Sequence, residues 1–256
     1  MMSQAFSEWR SSHSRNGGAL VWFYKDLWPA AGWGILDSAG NPKAAYYYLK
    51  RVWASRQLVM TDEGLNGIHL HLVNETTEPC NGTIEISLLK EPATVVARQE
   101  LAVRVESRAR RVFSADEILG GFYDVSYSYR FGPAHHDVVI ATWLDSDRRV
   151  ISEGLHFIRR QAPVADRNVA VQVTAEQTAD GSYQVHLEAD RLLHGIHLAA
   201  PGFLPEDNYF HLIPHRKRSV TFRPTNSSGT ATVFKATVES LSMDASHVVT
   251  VRPKSN

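Results

Sequence analysis

The spacing of apolar positions changes character near Ser55, and the change divides the chain. Before it, Phe6, Trp9 and His13 recur at helical spacing and are followed by Asn16-Gly17-Gly18, which predicts a helix over 4–15 with a glycine stop. Residues 19–24 are a continuous apolar run, as expected of a parallel strand covered on both faces. A turn over 37–41 precedes Pro42, suited to the first turn of a helix that reaches about Trp53, with Ala45, Tyr48, Leu49 and Val52 on one stripe. After Ser55 the apolar positions alternate. Strands are predicted over 58–61, 67–73, 82–89, 94–105, 110–113, 123–129, 137–144 and 150–158, spaced as in a β-sandwich. Gln161-Ala162-Pro163 reads as a linker. The pattern then restarts over 168–174, 183–189, 195–199, 208–212, 219–222, 230–239 and 248–251, which predicts a second, smaller sandwich. The expected domains are therefore 1–55, 56–161 and 162–256.

Composition narrows the function classes. Lys plus Arg and Asp plus Glu each number 27, so the net charge is zero and no nucleic-acid or anionic-membrane partner is indicated. The basic clusters Arg108–Arg111 and His215–Arg218 flank predicted strands and read as solvated turns. One cysteine, Cys80, excludes an internal disulfide framework and fits a cytoplasmic chain or a large secreted one. The N-terminus lacks a basic segment followed by an apolar one, and no apolar run approaches the ~20 residues of a membrane span. Asn-x-Ser/Thr sequons begin at Asn74, Asn81 and Asn226.

Five of the six tryptophans lie in the first 53 residues. The densest stretch reads Gly18-Ala-Leu-Val-Trp22-Phe-Tyr-Lys-Asp26-Leu-Trp28-Pro29, then Gly32-Trp33-Gly34 and Asn41-Pro42-Lys43. Aromatic faces beside a carboxylate suit a sugar, whose C–H faces stack on rings while its hydroxyls bind the acid. Over about residues 7–55 this run resembles the last strand and helix of the catalytic TIM (β/α)8 barrel of family 2 glycoside hydrolases, above all β-mannosidases and their exo-glucosaminidase relatives. Pro205-Glu-Asp207-Asn208-Tyr-Phe210, followed by Ser219-Val-Thr-Phe222, resembles their C-terminal immunoglobulin-like domain. The resemblance implies a mainly β chain of two immunoglobulin-like sandwiches preceded by a terminal βα remnant of the barrel.

It also implies retaining hydrolysis of terminal β-mannosides by two glutamates about 5–5.5 Å apart. Both belong to earlier barrel strands and would precede Met1, so the chain reads as the C-terminal part of an enzyme, inactive alone. Trp22, Asp26, Trp28 and Trp33 match the family's substrate-binding positions, with a cis peptide after Trp22. Asp26 could bind sugar or a neighbouring loop. Phe23-Tyr24-Lys25 stands where the family has Gln-Leu-Asn, which sets an ammonium in place of an amide. No metal or organic cofactor is implied. The expected partners are a terminal β-mannoside and the upstream barrel, and a barrel edge stripped of its neighbours would favour self-association through 1–55.

Other chemistry is weakly supported. His69 and His71 share one face of a predicted strand, a metal half-site without a third ligand at recognisable spacing, and read as structural. His135-His136 and His194 with His197 read the same way, and the Gly-x-Ser-x-Gly elbow and Gly-rich phosphate loops are absent. A non-catalytic carbohydrate-binding module and a purely structural β-sandwich piece are the alternatives to an enzyme.

Overall fold

A computed structural model describes residues 2–159, 161–169, 171–225 and 233–252, so the sequon at Asn226 lies outside the described residues. The chain forms two compact units, 1–160 and 161–256.

The first unit opens with helix α1 (Met2–Arg10) and helix α2 (Ala44–Val52). Seven strands follow: β1 (Arg56–Asp62), β2 (Ile68–Asn74), β3 (Cys80–Lys90), β4 (Thr94–Val105), β5 (Ala109–Ser114), β6 (Val138–Asp145) and β7 (Val150–Phe157), with a short helix α3 (Ala115–Leu119) after β5. They build two antiparallel sheets, β1-β2-β5 and β4-β3-β6-β7. Alternation explains the core between them. Leu58, Ile68, Leu70 and Leu72 face Ile84, Ile86, Leu88, Val139, Ala141 and Trp143, all buried, so apolar area leaves water on two facing surfaces at about 25 cal/mol per Å2.

The two helices pack with each other and against β1. Their amphipathic stripes meet in a small core of Phe6, Ile35, Leu49 and Val52. Arg10 fastens this layer, donating to the carbonyls of Val52 and Ala54 and pairing with Glu75 at 2.9 Å.

Residues 19–24, expected as a strand, form none. A parallel strand exists through its neighbours' ladders, and among the described residues the segment pairs with none; the nearest bridge joins Lys25, just past it, to Leu36. Residues 123–129 also depart from expectation. Asp124, Tyr127 and Arg130 adopt positive φ, and the Asp124 carboxylate accepts the N–H groups of Tyr129 (3.2 Å) and Arg130 (3.0 Å), so turn chemistry overrides the aromatic alternation. Helix α3 was unanticipated, although Ser114-Ala-Asp-Glu117 is a capping box in which Glu117 accepts the Ser114 N–H at 3.1 Å.

His136 is buried, its Nε2–H donating to the Val125 carbonyl at 3.3 Å while Nδ1 has no partner. Protonating Nδ1 would bury a donor with no acceptor, and burial holds this imidazole below its ordinary value of 6.5 despite Asp137 and Asp124 nearby, with Lys90 adding to the depression. The unfolded chain therefore takes the proton first. Its contribution to stability is full above about pH 6.5 and declines as pH falls below that value. Urea unfolding from about pH 8 to pH 5 should show a smaller loss in His136→Gln than in the wild type, and equal losses would contradict this assignment.

The second unit contains β8 (Val171–Gln177), β9 (Tyr183–Ala189), β10 (Leu193–Ala199), β11 (Phe203–Pro205), β12 (Phe210–Leu212), β13 (Arg218–Pro224), β14 (Phe234–Glu239) and β15 (His247–Val251). They form sheets β11-β13-β9-β8 and β12-β10-β14-β15. Every second residue of β9 from Tyr183 to Ala189 is buried, and Tyr183 stacks on Phe234 at 4.3 Å between ring centres. The Asp207-Asn208 pair has a defined role. The Asn208 amide exchanges two 2.8 Å hydrogen bonds with the Leu198 backbone, and Asp207 pairs with Arg218 at 2.6 Å. Among the described residues no helix is long and apolar enough to cross a membrane.

Candidate sugar-binding loop

The aromatic motif lies on the loop that joins α1 to α2. A short backbone clasp organises it: Ile35 and Leu36 N–H donate to the Tyr24 carbonyl (3.1 and 3.0 Å), and Asp26 N–H donates to Leu36 (3.1 Å). At its centre the Asp26 carboxylate is buried. Oδ1 accepts the Gly34 N–H at 2.7 Å, and Oδ2 pairs with the Lys43 ammonium, which also donates to the Gly32 carbonyl at 3.2 Å. The hydrogen bond from Lys43 holds the Asp26 carboxyl below the usual carboxylate range.

Both glycines of Gly32-Trp33-Gly34 follow from this packing. A Cβ on Gly32 would lie 2.4 Å from Asp26 Oδ1, and one on Gly34 would lie 2.5 Å from the Asp26 nitrogen. Asp37 secures the next turn, accepting from the Asn41 backbone at 2.8 Å and side chain at 3.0 Å. The clasp thus absorbs the polar and small residues of the motif.

The tryptophans do the opposite. Trp22, Trp28 and Trp33 are 74%, 77% and 75% exposed. Phe23 sits between two of them, with ring centres 5.2 Å from Trp22 and 6.5 Å from Trp33. Trp28 makes no ring contact with these among the described residues. The Trp22–Phe23 peptide is cis, as the family resemblance implied. Leu20, Tyr24 and Leu27 are exposed beside them, and Lys25 is exposed too. Of the four expected sugar contacts, three rings are therefore on display, while Asp26 is taken up by Gly34 and Lys43. Of the two roles open to Asp26, the loop contact is the one seen.

The histidines fall into distinct settings. His71 is fully buried beneath the segment after α1, and burial pushes its pKa down to about 4. His197 pairs with Glu239 at 3.0 Å and stacks on Tyr209. His135 is exposed.

Residues 165–246 match the Ig_mannosidase family, an Ig-fold domain. β-Mannosidase B of Thermothelomyces thermophilus is 40% identical over 65 residues, which is 25% of this chain and 7% of that protein. β-Mannosidase B of Aspergillus clavatus is 26% identical over 138 residues, 51% of this chain and 16% of that one. In fold, the β-D-mannosidase of Dictyoglomus thermophilum superposes on 95% of this chain with a TM-score of 0.76 at 17% identity, using 28% of its own length. The exo-chitosanase of Amycolatopsis orientalis superposes on 98% with a TM-score of 0.69 at 15% identity, using 33% of its length. The chain therefore spans a third or less of each of these proteins. It is mainly β, it carries the mannosidase Ig-fold domain in its second unit, and nearly its whole length has the fold of the C-terminal region of β-mannosidase-like family 2 glycoside hydrolases.

Proposed function

We propose that this chain is the C-terminal part of a retaining family 2 glycoside hydrolase acting on terminal β-mannosides, and that its loop over 20–34 supplies one wall of the sugar pocket. The carrying observation is the division of labour in that loop. A buried Asp26–Lys43 clasp fixes the backbone, and three tryptophans are left about three-quarters exposed. Indole faces held at an apolar surface by a rigid loop are suited to the C–H faces of a pyranose. In this reading residues 1–55 complete a barrel whose two catalytic glutamates lie on preceding strands, and the sandwiches buttress it. Trp22 lines the subsite of the terminal sugar, Trp28 and Trp33 extend the wall, and Asp26 positions the loop. Lys25 presents a cation on the side where relatives carry an amide.

The upstream barrel is then the partner that covers Leu20 and Leu27, leaving the indole faces of Trp22, Trp28 and Trp33 open to the sugar. Without it, the same apolar surface favours self-association through 1–55.

The test is hydrolysis of an aryl β-mannoside by purified 1–256. Turnover should not exceed that of buffer. Turnover that disappears in Asp26→Asn would place the catalytic centre in this loop and overturn the reading. The exposed tryptophans also support a second reading, a non-catalytic binding module. Binding of manno-oligosaccharides by 1–256 tighter than roughly 100 μM, lost in Trp28→Ala, would favour it.

A further inference from the structure

The outer face of the β1-β2-β5 sheet gathers side chains that are distant in sequence. Strand β2 alternates, so Ile68, Leu70 and Leu72 enter the sandwich core while His69 and His71 point the other way. Over them passes the segment that leaves α1. Arg110 holds it by donating to the Ser11 carbonyl at 3.4 Å, and the Ser12 N–H donates to His71 Nδ1 at 3.2 Å. The His13 ring is thereby set 5.5 Å from that of His69 and 4.9 Å from that of His71, between ring centres. Glu63, just beyond β1, places Oε1 3.2 Å from His13 Nδ1.

We propose that His13, Glu63 and His69 form a binding site for a divalent transition-metal ion, with zinc the best fit. Each offers one ligand atom, and the three atoms lie within 4.8 Å of one another. The His13–Glu63 separation of 3.2 Å is close to the edge of a tetrahedron with metal bonds of about 2.0 Å, which is about 3.3 Å. Two imidazoles and one carboxylate are the ligand types that such an ion prefers over calcium or magnesium, and the fourth position is left to solvent. His69 Nδ1 is buried without a hydrogen-bond partner, so this ring has coordinating capacity that nothing else among the described residues uses.

His71 is a support rather than a ligand. Its Nδ1 accepts from Ser12, so Nε2 carries the proton and donates to Thr61 Oγ1 at 2.9 Å; the Thr61 hydroxyl in turn donates to Glu63 Oε1 at 2.6 Å. This relay fixes the carboxylate as outer-shell partners fix metal ligands. An ion here would tie residue 13 to residues 63 and 69. It would pin the segment after α1 onto the sheet and stabilise the fold by linkage.

Untagged 1–256, stripped with chelator, should take up one zinc ion per chain in a calorimetric titration and melt at a higher temperature with zinc present. Cobalt should give the visible absorption of a tetrahedral N/O site. His13→Ala and Glu63→Gln, both outside the apolar core, should each weaken zinc binding at least tenfold. They should leave metal-free melting nearly unchanged, whereas His197→Ala in the second unit should bind zinc as the wild type does. Absence of stoichiometric binding at roughly 100 μM zinc, or an affinity unaltered in both His13→Ala and Glu63→Gln, would overturn the site.

Discussion

Trp143→Ala should lower the unfolding free energy of the first unit by about 4 kcal/mol, within the range of about 3–5 kcal/mol for truncating a fully buried aromatic side chain. Trp143 lies on β6, the inner strand between β3 and β7, paired with Ile84 on one side and Ser152 on the other, and it is fully buried. The indole cannot be replaced by collapse of its neighbours. It lies against Gly82, where an added Cβ would come within 3.1 Å of the indole nitrogen and 2.0 Å of the Leu144 carbonyl oxygen, so the backbone is already as close as it can come. A loss of this size is a large share of the roughly 5–15 kcal/mol that holds an ordinary domain together. Urea denaturation followed by far-ultraviolet circular dichroism reads it. The transition of the second unit, whose core is a separate cluster around Phe222 and Phe234, should stay where it is. A loss below about 1 kcal/mol would mean that the space around Trp143 relaxes in a way that this packing does not allow.

The fold was legible wherever a single local signal decided it. Strict alternation marked β9, the alternating stretch Ile84–Leu88 marked β3, and Pro42 marked the approach to α2 although it stands just before the Lys43 N-cap rather than in the first turn; in each case the cue lies in the residue's own neighbourhood. Reading failed where the deciding interaction was of another kind. Residues 19–24 have strand composition but pair with no strand among the described residues, and composition does not reveal whether a partner strand is present. Residues 123–129 alternate well enough, yet the Asp124 carboxylate turns the chain at close range. Helix α3 is five residues long, too short for a periodic pattern; its capping box was the only cue. Strand β11, of three residues ending on Pro205, was not expected either, because a proline argues against a strand.

The loop shows the same limits. The spacing of Trp22, Asp26, Trp28, Gly32, Trp33 and Gly34 was visible, and it identified the family resemblance. It did not reveal that Asp26, Gly32 and Gly34 form the scaffold and the tryptophans the display, because that division depends on a salt bridge from Lys43, 17 residues away. The His13–Glu63–His69 cluster was even less accessible. His69 and His71 were recognised as a pair on one face, but His13 and Glu63 come from the segment after α1 and the turn after β1, and no spacing rule joins residue 13 to residue 63.

We propose above that the loop over 20–34 forms a wall of a β-mannoside site. Trp22 tests it most sharply, because its ring is three-quarters exposed and removing it costs no core packing, so an effect on activity is not an effect on folding. In the polypeptide where this chain follows its catalytic barrel, Trp22→Ala should lower kcat/KM for an aryl β-mannoside about 100-fold, equivalent to about 3 kcal/mol of transition-state stabilisation, with an unchanged melting temperature. Stacking alone contributes about 0.5–1.5 kcal/mol beyond area burial, and the remainder comes from loss of the apolar surface against which the sugar is oriented. The measurement is steady-state hydrolysis by the wild type and Trp22→Ala side by side. Trp22→Ala should lose about 100-fold at unchanged stability; wild-type kcat/KM in Trp22→Ala would show that this ring is no part of the sugar site.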